Sequence, residues 1–345
     1  MRLQRIVYLT GPERIELREE PVPEPGEGEI VIRITAATTC GTDVKVFRRG
    51  GHPRMLRAPS PFGHEVTGTV LAAGAGVKKW REGDAVIVAN SASCGECRPC
   101  REERQNLCET LEYLNGAFAE YLRVPRRFAD RSTYRKPDSL PSAVAALSEP
   151  LACVLHGMEV LAPRAGAEVV IYGAGPIGLL FVRVLVERGN RVVVCDPHSA
   201  RLEVARAMGS SAVVLAHRDT ADLERVRAAA EDGSGFPAVI EATGTATGWE
   251  HALGSVRPGG RVLLFGGCAP GTVVPLDTHQ LHYSEITVLG AYHHRPATFA
   301  GAVELLDRGS LRPELLLSEE HPLAEVETAL RRMMHKQIIK AVIRP

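Results

Sequence analysis

Residues 167–196, AEVVIYGAGPIGLLFVRVLVERGNRVVVCD, constrain the fold more than any other stretch. A short buried-type run, EVVIY, ends in glycines, is followed at once by an apolar helical segment stopped at Gly189, and leads into a second apolar run that closes on an acid. Strand, tight turn, helix and parallel strand form a right-handed crossover unit, which commits this part of the chain to an α/β parallel sheet. The turn reads Gly173-Ala174-Gly175-Pro176-Ile177-Gly178. In this setting Gly173 permits the turn and Gly175 lets the backbone approach a pyrophosphate. Gly178 lets helix and strand pack closely, while Pro176 and Ile177 open the helix whose positive end faces the phosphates. Asp196, 18 residues past Gly178, sits where a carboxylate accepts hydrogen bonds from ribose hydroxyls and repels a 2′-phosphate. The expected cofactor is therefore NAD rather than NADP, although His198 and Arg201 place basic groups nearby. Arg201, Thr243 of AVIEATG and Gly266 of GRVLLFGG complete the candidate cofactor set.

The pattern continues on both sides. SARLEVARAMG (199–209) is an amphipathic helix with Ser199 as its expected N-cap, and AVVL, AVIEATG and GRVLLFGG supply further strands. Residues 1–150 have a different texture, rich in short alternating runs and Gly/Pro turns, as in 29–40, 64–74, 84–90 and 116–125. That texture suggests a small barrel or sandwich with long loops. LPSAVAALSEPLACVLHGMEVL (140–161) reads as helix interrupted at Pro150, and the last 45 or so residues are helix-rich and finish in the strand-like AVIRP.

Half of the eight cysteines fall within SCGECRPCREERQNLC, at Cys94, Cys97, Cys100 and Cys108. A chain of 345 residues buries enough core to fold without covalent staples. In a reducing compartment such a cluster binds metal more readily than it forms disulfides. Four thiolates in a polar, turn-rich loop suit a tetrahedral structural zinc with no open coordination position. Chemistry must then lie elsewhere.

Lys plus Arg and Asp plus Glu both number 41, which speaks against a nucleic-acid binder working through bulk positive charge. The N-terminal MRLQRIVYLTGPERIEL lacks a signal-peptide core, and no uninterrupted apolar run of the length of a membrane span stands out. The expectation is a cytoplasmic protein with neither membrane nor nucleic-acid partner.

Two further segments carry potential ligands, Thr39-Cys40-Gly41-Thr42-Asp43 and Gly63-His64-Glu65, and a third is Ser148-Glu149-Pro150-Leu151. With the four-cysteine loop and GAGPIG, in this order, they resemble the zinc-dependent medium-chain dehydrogenases, within them the sorbitol (polyol) dehydrogenase-like branch. The resemblance covers essentially the whole chain. It implies a GroES-like β-barrel catalytic domain at 1–152, rejoined by 297–345, and a Rossmann doubly wound parallel-sheet domain at 153–296. It implies two zinc ions per chain. Cys40 and His64 are the expected ligands of the catalytic zinc, with Glu65 and Glu149 competing for or sharing the carboxylate role. Thr42 is the implied hydroxyl relay, and Asp43 the residue that orients a zinc ligand. The family often has a histidine five residues after the first ligand; this chain has Lys45, so Lys45, a water or His52 is left to end the proton path.

The implied reaction is transfer of a hydride from a secondary alcohol of a polyol, sugar or cyclitol to NAD, giving the ketone. A threonine 3-dehydrogenase-like or simple-alcohol activity stays open, as does, in another class, a catalytically silent NAD-binding relative. Phe118, His293 and His294 are the candidate substrate-pocket residues; Cys195 and Cys268 read as strand residues. A homo-oligomer, tetramer or dimer, is implied as well.

Overall fold

A computed structural model of the protein describes residues 2–345. The chain forms two compact units: Met1–Ala152 with His294–Pro345, and Cys153–His293.

The first unit is built on a seven-stranded sheet. Its path runs Thr133–Arg135, Ala85–Val88, Glu65–Ala73, Ile30–Thr38, Lys340–Arg344 and Leu317–Pro322, and Tyr121–Val124 also pairs with Ile30–Thr38. Every pairing is antiparallel except the last on the path, Leu317–Pro322 with Lys340–Arg344. Ile30–Thr38 is the hub: it takes Glu65–Ala73 along its whole length and the C-terminal strand at Ala37 and Thr38. That register sets Thr38 opposite both Glu65 and Val342. A hairpin of Leu3–Gly11 and Arg14–Pro21 joins the body through Ser60–Pro61. Ile30, Ile32, Val86, Val88, Phe62, Phe118 and Phe128 fill the interior with Leu330 and Met333 of the helix Val326–Met334. The barrel-type fold read from the short alternating runs is the one found.

The second unit carries a six-stranded, all-parallel sheet in the order Ala212–Leu215, Arg191–Asp196, Glu168–Tyr172, Phe236–Glu241, Val256–Leu264, Thr287–Gly290. Numbered within the unit this is 3-2-1-4-5-6, the doubly wound dinucleotide-binding order. The central strands are apolar along their length because both faces are covered.

Local expectations need four corrections. Pro150 does not interrupt a helix: the break falls after Ala145, and Pro150 sits in the first turn of Ser148–Leu161. A missing N–H costs nothing there, since first-turn donors have no intrahelical acceptor. Ser199 is not the N-cap. His198 is, because Asp196 Oδ1 takes the His198 N–H at 2.8 Å and fixes where the helix Ser199–Ala207 begins. Cys268 lies past the end of the strand Val256–Leu264, in a loop, whereas Cys195 is a strand residue. The strand expected over 116–125 covers only Tyr121–Val124. The segment Ser142–Leu161 is long and apolar enough to cross a membrane, but 78% of its most apolar window is buried inside the protein, as in a core helix.

Candidate metal and cofactor sites

Strand Ile30–Thr38 ends by handing the chain to Thr39, which is held to the C-terminal strand by Thr39 N–H to Ala341 O (3.0 Å) and Ala341 N–H to Thr39 Oγ1 (2.9 Å). The next residue, Cys40, is the N-cap of the helix Gly41–Arg49. Asp43 Oδ2 accepts the Cys40 N–H at 2.8 Å, and Cys40 Sγ accepts the Thr42 N–H at 3.4 Å. This is a capping box in which a thiol replaces the usual hydroxyl, so a thiolate gains the positive end of the helix.

His64 follows Gly63, whose φ of +87° allows the turn into strand Glu65–Ala73. A Cβ at Gly63 would stand 2.7 Å from the Phe118 ring. Phe118 is fully buried, edge-on to Phe62 at 5.6 Å between ring centres. It thus supports Gly63 from the core, where its aromatic mass fills the interior.

His64 Nδ1 lies 2.9 Å from Asp43 Oδ1. With Nδ1–H donating to the carboxylate, Nε2 is left as the ligand atom. Burial opposes charge on His64, but Asp43 overrides it and the ring titrates well above its ordinary value. Burial and the Glu65 carboxylate push the Cys40 thiol up. Glu65 is fully buried, with Thr38 Oγ1 donating to its Oε2 and Lys340 Nζ reaching the same oxygen at 2.6 Å. Its Oε1 is buried without a hydrogen-bond partner. One ligand atom each from Cys40, His64 and Glu65 fall within 4.8 Å of one another. A sulfur, an imidazole nitrogen and a carboxylate oxygen at this spacing fit a zinc ion with one position left open.

Glu149, in the first turn of Ser148–Leu161, is buried beside this cluster but lies outside it. Its carboxyl lies within 4.8 Å of a His294 ring nitrogen instead. Burial first, then the Glu65 and Asp43 carboxylates, push its pKa to about 7 against the opposing pull of His64 and Lys340. The geometry therefore brings Glu65, not Glu149, together with Cys40 and His64.

Thr42 is half-buried and Lys45 exposed, three residues apart on one helix, so their side chains share a face. His52 Nδ1 accepts the N–H groups of Arg54 (3.2 Å) and Met55 (3.1 Å). Its proton sits on Nε2 and no lone pair is left to take another, so His52 is a poor end to a proton path.

The two candidate imidazoles are assigned to different units. His293 closes the second unit with a φ of +60°. His294 belongs to the first unit, is buried, holds Asn90 Oδ1 at 3.0 Å through Nε2 and packs on Phe299. His294 is thus buried and anchored to Asn90.

In the four-cysteine loop the sulfurs are separated by 3.4 Å (Cys97–Cys100), 3.5 Å (Cys94–Cys108), 3.8 Å (Cys97–Cys108) and 3.9 Å (Cys94–Cys100). A tetrahedron with zinc–sulfur bonds of ~2.3 Å has edges of about 3.8 Å. Backbone N–H groups of Glu96 and Cys97 lower the Cys94 thiol to about 6, while burial pushes Cys100 up to about 12. The loop fits a closed four-thiolate zinc site.

In the second unit, Gly173 has a φ of +104°, and a Cβ at Gly178 would stand 1.8 Å from Gly173 O. The helix Pro176–Glu187 has Gly175 at its N-cap and no side chain capping it, which leaves its first N–H groups available to an anion. Asp196 Oδ2 accepts the Ala174 N–H at 2.8 Å and Oδ1 faces His198 Nδ1 at 2.9 Å. Buried Arg201 reaches to 4.0 Å of where a Gly175 side chain would begin. Thr243 lies against Gly173 across the switch point between neighbouring strands. Gly266 packs so tightly on Gly244 and Glu241 that no side chain fits. All nine candidate cofactor residues thus gather at the C-terminal ends of one sheet. Sequence reasoning missed Lys340, Thr38 and Asn90; a lysine opening an apolar strand was the one visible sign of the first.

Comparison with known proteins agrees with this chemistry. Residues 26–134 match the alcohol dehydrogenase GroES-like domain, and residues 176–308 the zinc-binding dehydrogenase domain. The chain is 28% identical to sorbitol dehydrogenase of Bacillus subtilis over 340 residues (96% of this chain, 94% of the relative). It is 32% identical to L-threonine 3-dehydrogenase of Pyrococcus abyssi over 314 residues (89% and 88%). Among solved structures, a zinc-binding dehydrogenase target from Sinorhizobium meliloti 1021, bound to NADP, superposes with a TM-score of 0.91 at 28% identity, with both chains covered completely.

Proposed function

The chain belongs to the zinc-binding alcohol dehydrogenase family with a GroES-like domain, and on that premise we propose that it oxidises a secondary alcohol of a polyol, sugar or cyclitol to the ketone, with NAD as hydride acceptor. The observation that carries the reading is the convergence of Cys40, His64 and Glu65, with Asp43 committing His64 Nδ1 and Glu65 Oε1 left bare.

In this reading Cys40 Sγ, His64 Nε2 and Glu65 Oε1 hold a zinc ion, which when bound supplies a Lewis acid that lowers the pKa of an alcohol hydroxyl. Asp43 orients two of the ligands at once, His64 through its ring and Cys40 through its backbone. Thr42 Oγ1 accepts the released proton as it hands its own hydroxyl proton onward. Lys45, on the same helical face and open to solvent, passes it out. Burial raises the Glu149 carboxyl to about 7, which weakens its negative charge beside Glu65. The Gly173–Gly178 turn and the bare helix N-terminus bind a pyrophosphate, Asp196 accepts the ribose hydroxyls, and Arg201 flanks them.

Asp196 supports NAD over NADP because its carboxylate opposes a 2′-phosphate. The arrangement also supports two zinc ions per chain, the second in the four-cysteine loop. A homo-oligomer is supported by the second unit, where the outer strand Thr287–Gly290 has one unpaired edge and Val273, Leu276, Tyr283 and Val288 are exposed close to it in sequence. The free cysteines suit a reducing cytoplasm. L-threonine is a second candidate substrate, favoured by the likeness to the Pyrococcus abyssi enzyme.

The test is NADH formation by zinc-loaded protein with sorbitol, xylitol, inositols, aldoses, L-threonine and simple alcohols, each with NAD and with NADP. Activity on a polyol, sugar or cyclitol with NAD supports the reading. Exclusive activity on L-threonine or on simple alcohols, or with NADP, replaces that part of it.

A further inference from the structure

Lys340 is the first residue of the C-terminal strand, and its side chain is completely buried. Burying an ammonium group costs several kcal/mol unless it is paired and hydrogen-bonded. Its ion-pair partner is Glu65, 275 residues away in sequence, which is just as deeply buried. The contact is specific to one atom. Lys340 Nζ and Thr38 Oγ1 both address Glu65 Oε2, and neither reaches Oε1.

The backbone makes this selection rigid. Lys340 N–H bonds Leu316 O at 3.1 Å, and the next residue is tied to Thr39 in both directions. Thr38 stands opposite Glu65 in the sheet and opposite Val342 on its other side. The strand that carries Lys340 is therefore laced to the chain immediately before Cys40. A carboxylate pinned by one oxygen from two sides presents the other oxygen in a single direction. The charges agree as well: a Cys40 thiolate, a Glu65 carboxylate and the Asp43 carboxylate outnumber a dication by one, and the Lys340 ammonium removes the excess.

We propose that Lys340 is a positioning residue of the metal centre: by taking Glu65 Oε2 it fixes Glu65 as a one-oxygen ligand and makes retention of the metal depend on the C-terminal strand. This rests on the reading that Cys40, His64 and Glu65 hold zinc.

The test is zinc content and the rate of zinc release to a colorimetric chelator for the wild type, Lys340→Met and Lys340→Arg, with thermal unfolding alongside. Zinc in the four-cysteine loop serves as the internal reference. The wild type should release two zincs in separate phases. Lys340→Met should release one of them about tenfold or more faster, the size usual for losing a group that orients a ligand, with the four-cysteine phase unchanged. Lys340→Arg should restore retention to within a few-fold. Wild-type release from Lys340→Met overturns the proposal. If Lys340→Met does not fold, Thr38→Val decides, since it removes the other hold on Oε2 with little change of shape: faster release of the same zinc supports the proposal, and unchanged release overturns it. A wild type that holds only the four-cysteine zinc overturns the metal-centre reading itself, a result distinct from any behaviour of the variants.

Discussion

His64 Nδ1 sits 2.9 Å from Asp43 Oδ1, with both side chains almost wholly buried, and the other oxygen of the same carboxylate holds the backbone N–H of Cys40 at 2.8 Å. One side chain thus sets the ring direction of one ligand and the backbone of another. In Asp43→Asn an amide NH2 replaces one of the two acceptors, so one of these bonds is lost. Zinc affinity at this site is expected to fall about 10- to 100-fold. Chelator competition measures it; wild-type affinity in the variant would show that the ligands are oriented by other means.

The four-cysteine loop should govern stability rather than chemistry. Cys97→Ser removes one edge of the tetrahedron and is expected to lose that zinc and lower the thermal midpoint, while the metal bound by Cys40 and His64 stays. Metal analysis with calorimetry distinguishes this from a role in turnover, which would leave the midpoint unchanged and abolish the reaction.

Lys45 should matter for proton release. Lys45→Met is expected to slow turnover with NAD binding intact, and small primary amines in the buffer should restore part of the rate. Turnover that is unchanged and insensitive to added amine would remove Lys45 from the path.

Asp222 predicts a pH dependence for the second unit. It opens the helix Asp222–Ala228 and accepts N–H bonds from His217 (2.8 Å) and Arg218 (2.7 Å) besides pairing with Arg225. Burial works against its charge, but Arg225 and these N–H groups outweigh it and hold the carboxyl below its ordinary value. A depressed folded pKa adds stability that is fully present above the unfolded value, about 3.9, and is lost as pH falls through the folded one. Asp222→Asn is expected to cost about 2 kcal/mol at neutral pH and to flatten the acid limb of stability. Denaturant unfolding across pH reads both; an acid limb of unchanged steepness would contradict the assignment.

What could be read from the sequence was what lies close together in it. The dinucleotide turn is contiguous, the four cysteines span fifteen residues, and Cys40 and Asp43 share one helical turn, so spacing alone conveys their geometry. The Glu65–Lys340 pair joins residues 275 apart, and only the sheet register puts them together. The choice between Glu65 and Glu149 was illegible for the same reason, since both are acids beside apolar runs. The burial of Phe118 and His294 was not legible, because aromatic and imidazole groups suit a pocket and a core equally well. Ser199 has the chemistry of a cap, but the acceptor of Asp196 acts one residue earlier. The strand Leu317–Pro322 was missed inside a tail that reads as helix-rich; its pairing with the C-terminal strand holds it in place.

The most direct test of the whole account is a comparison of wild type and Cys40→Ser by zinc content, NADH binding and NADH formation with the best substrate of the panel. Cys40→Ser is expected to bind NADH normally, keep the four-cysteine zinc, lose the other, and form no NADH from the alcohol. Near-normal turnover by Cys40→Ser with that zinc absent would contradict it.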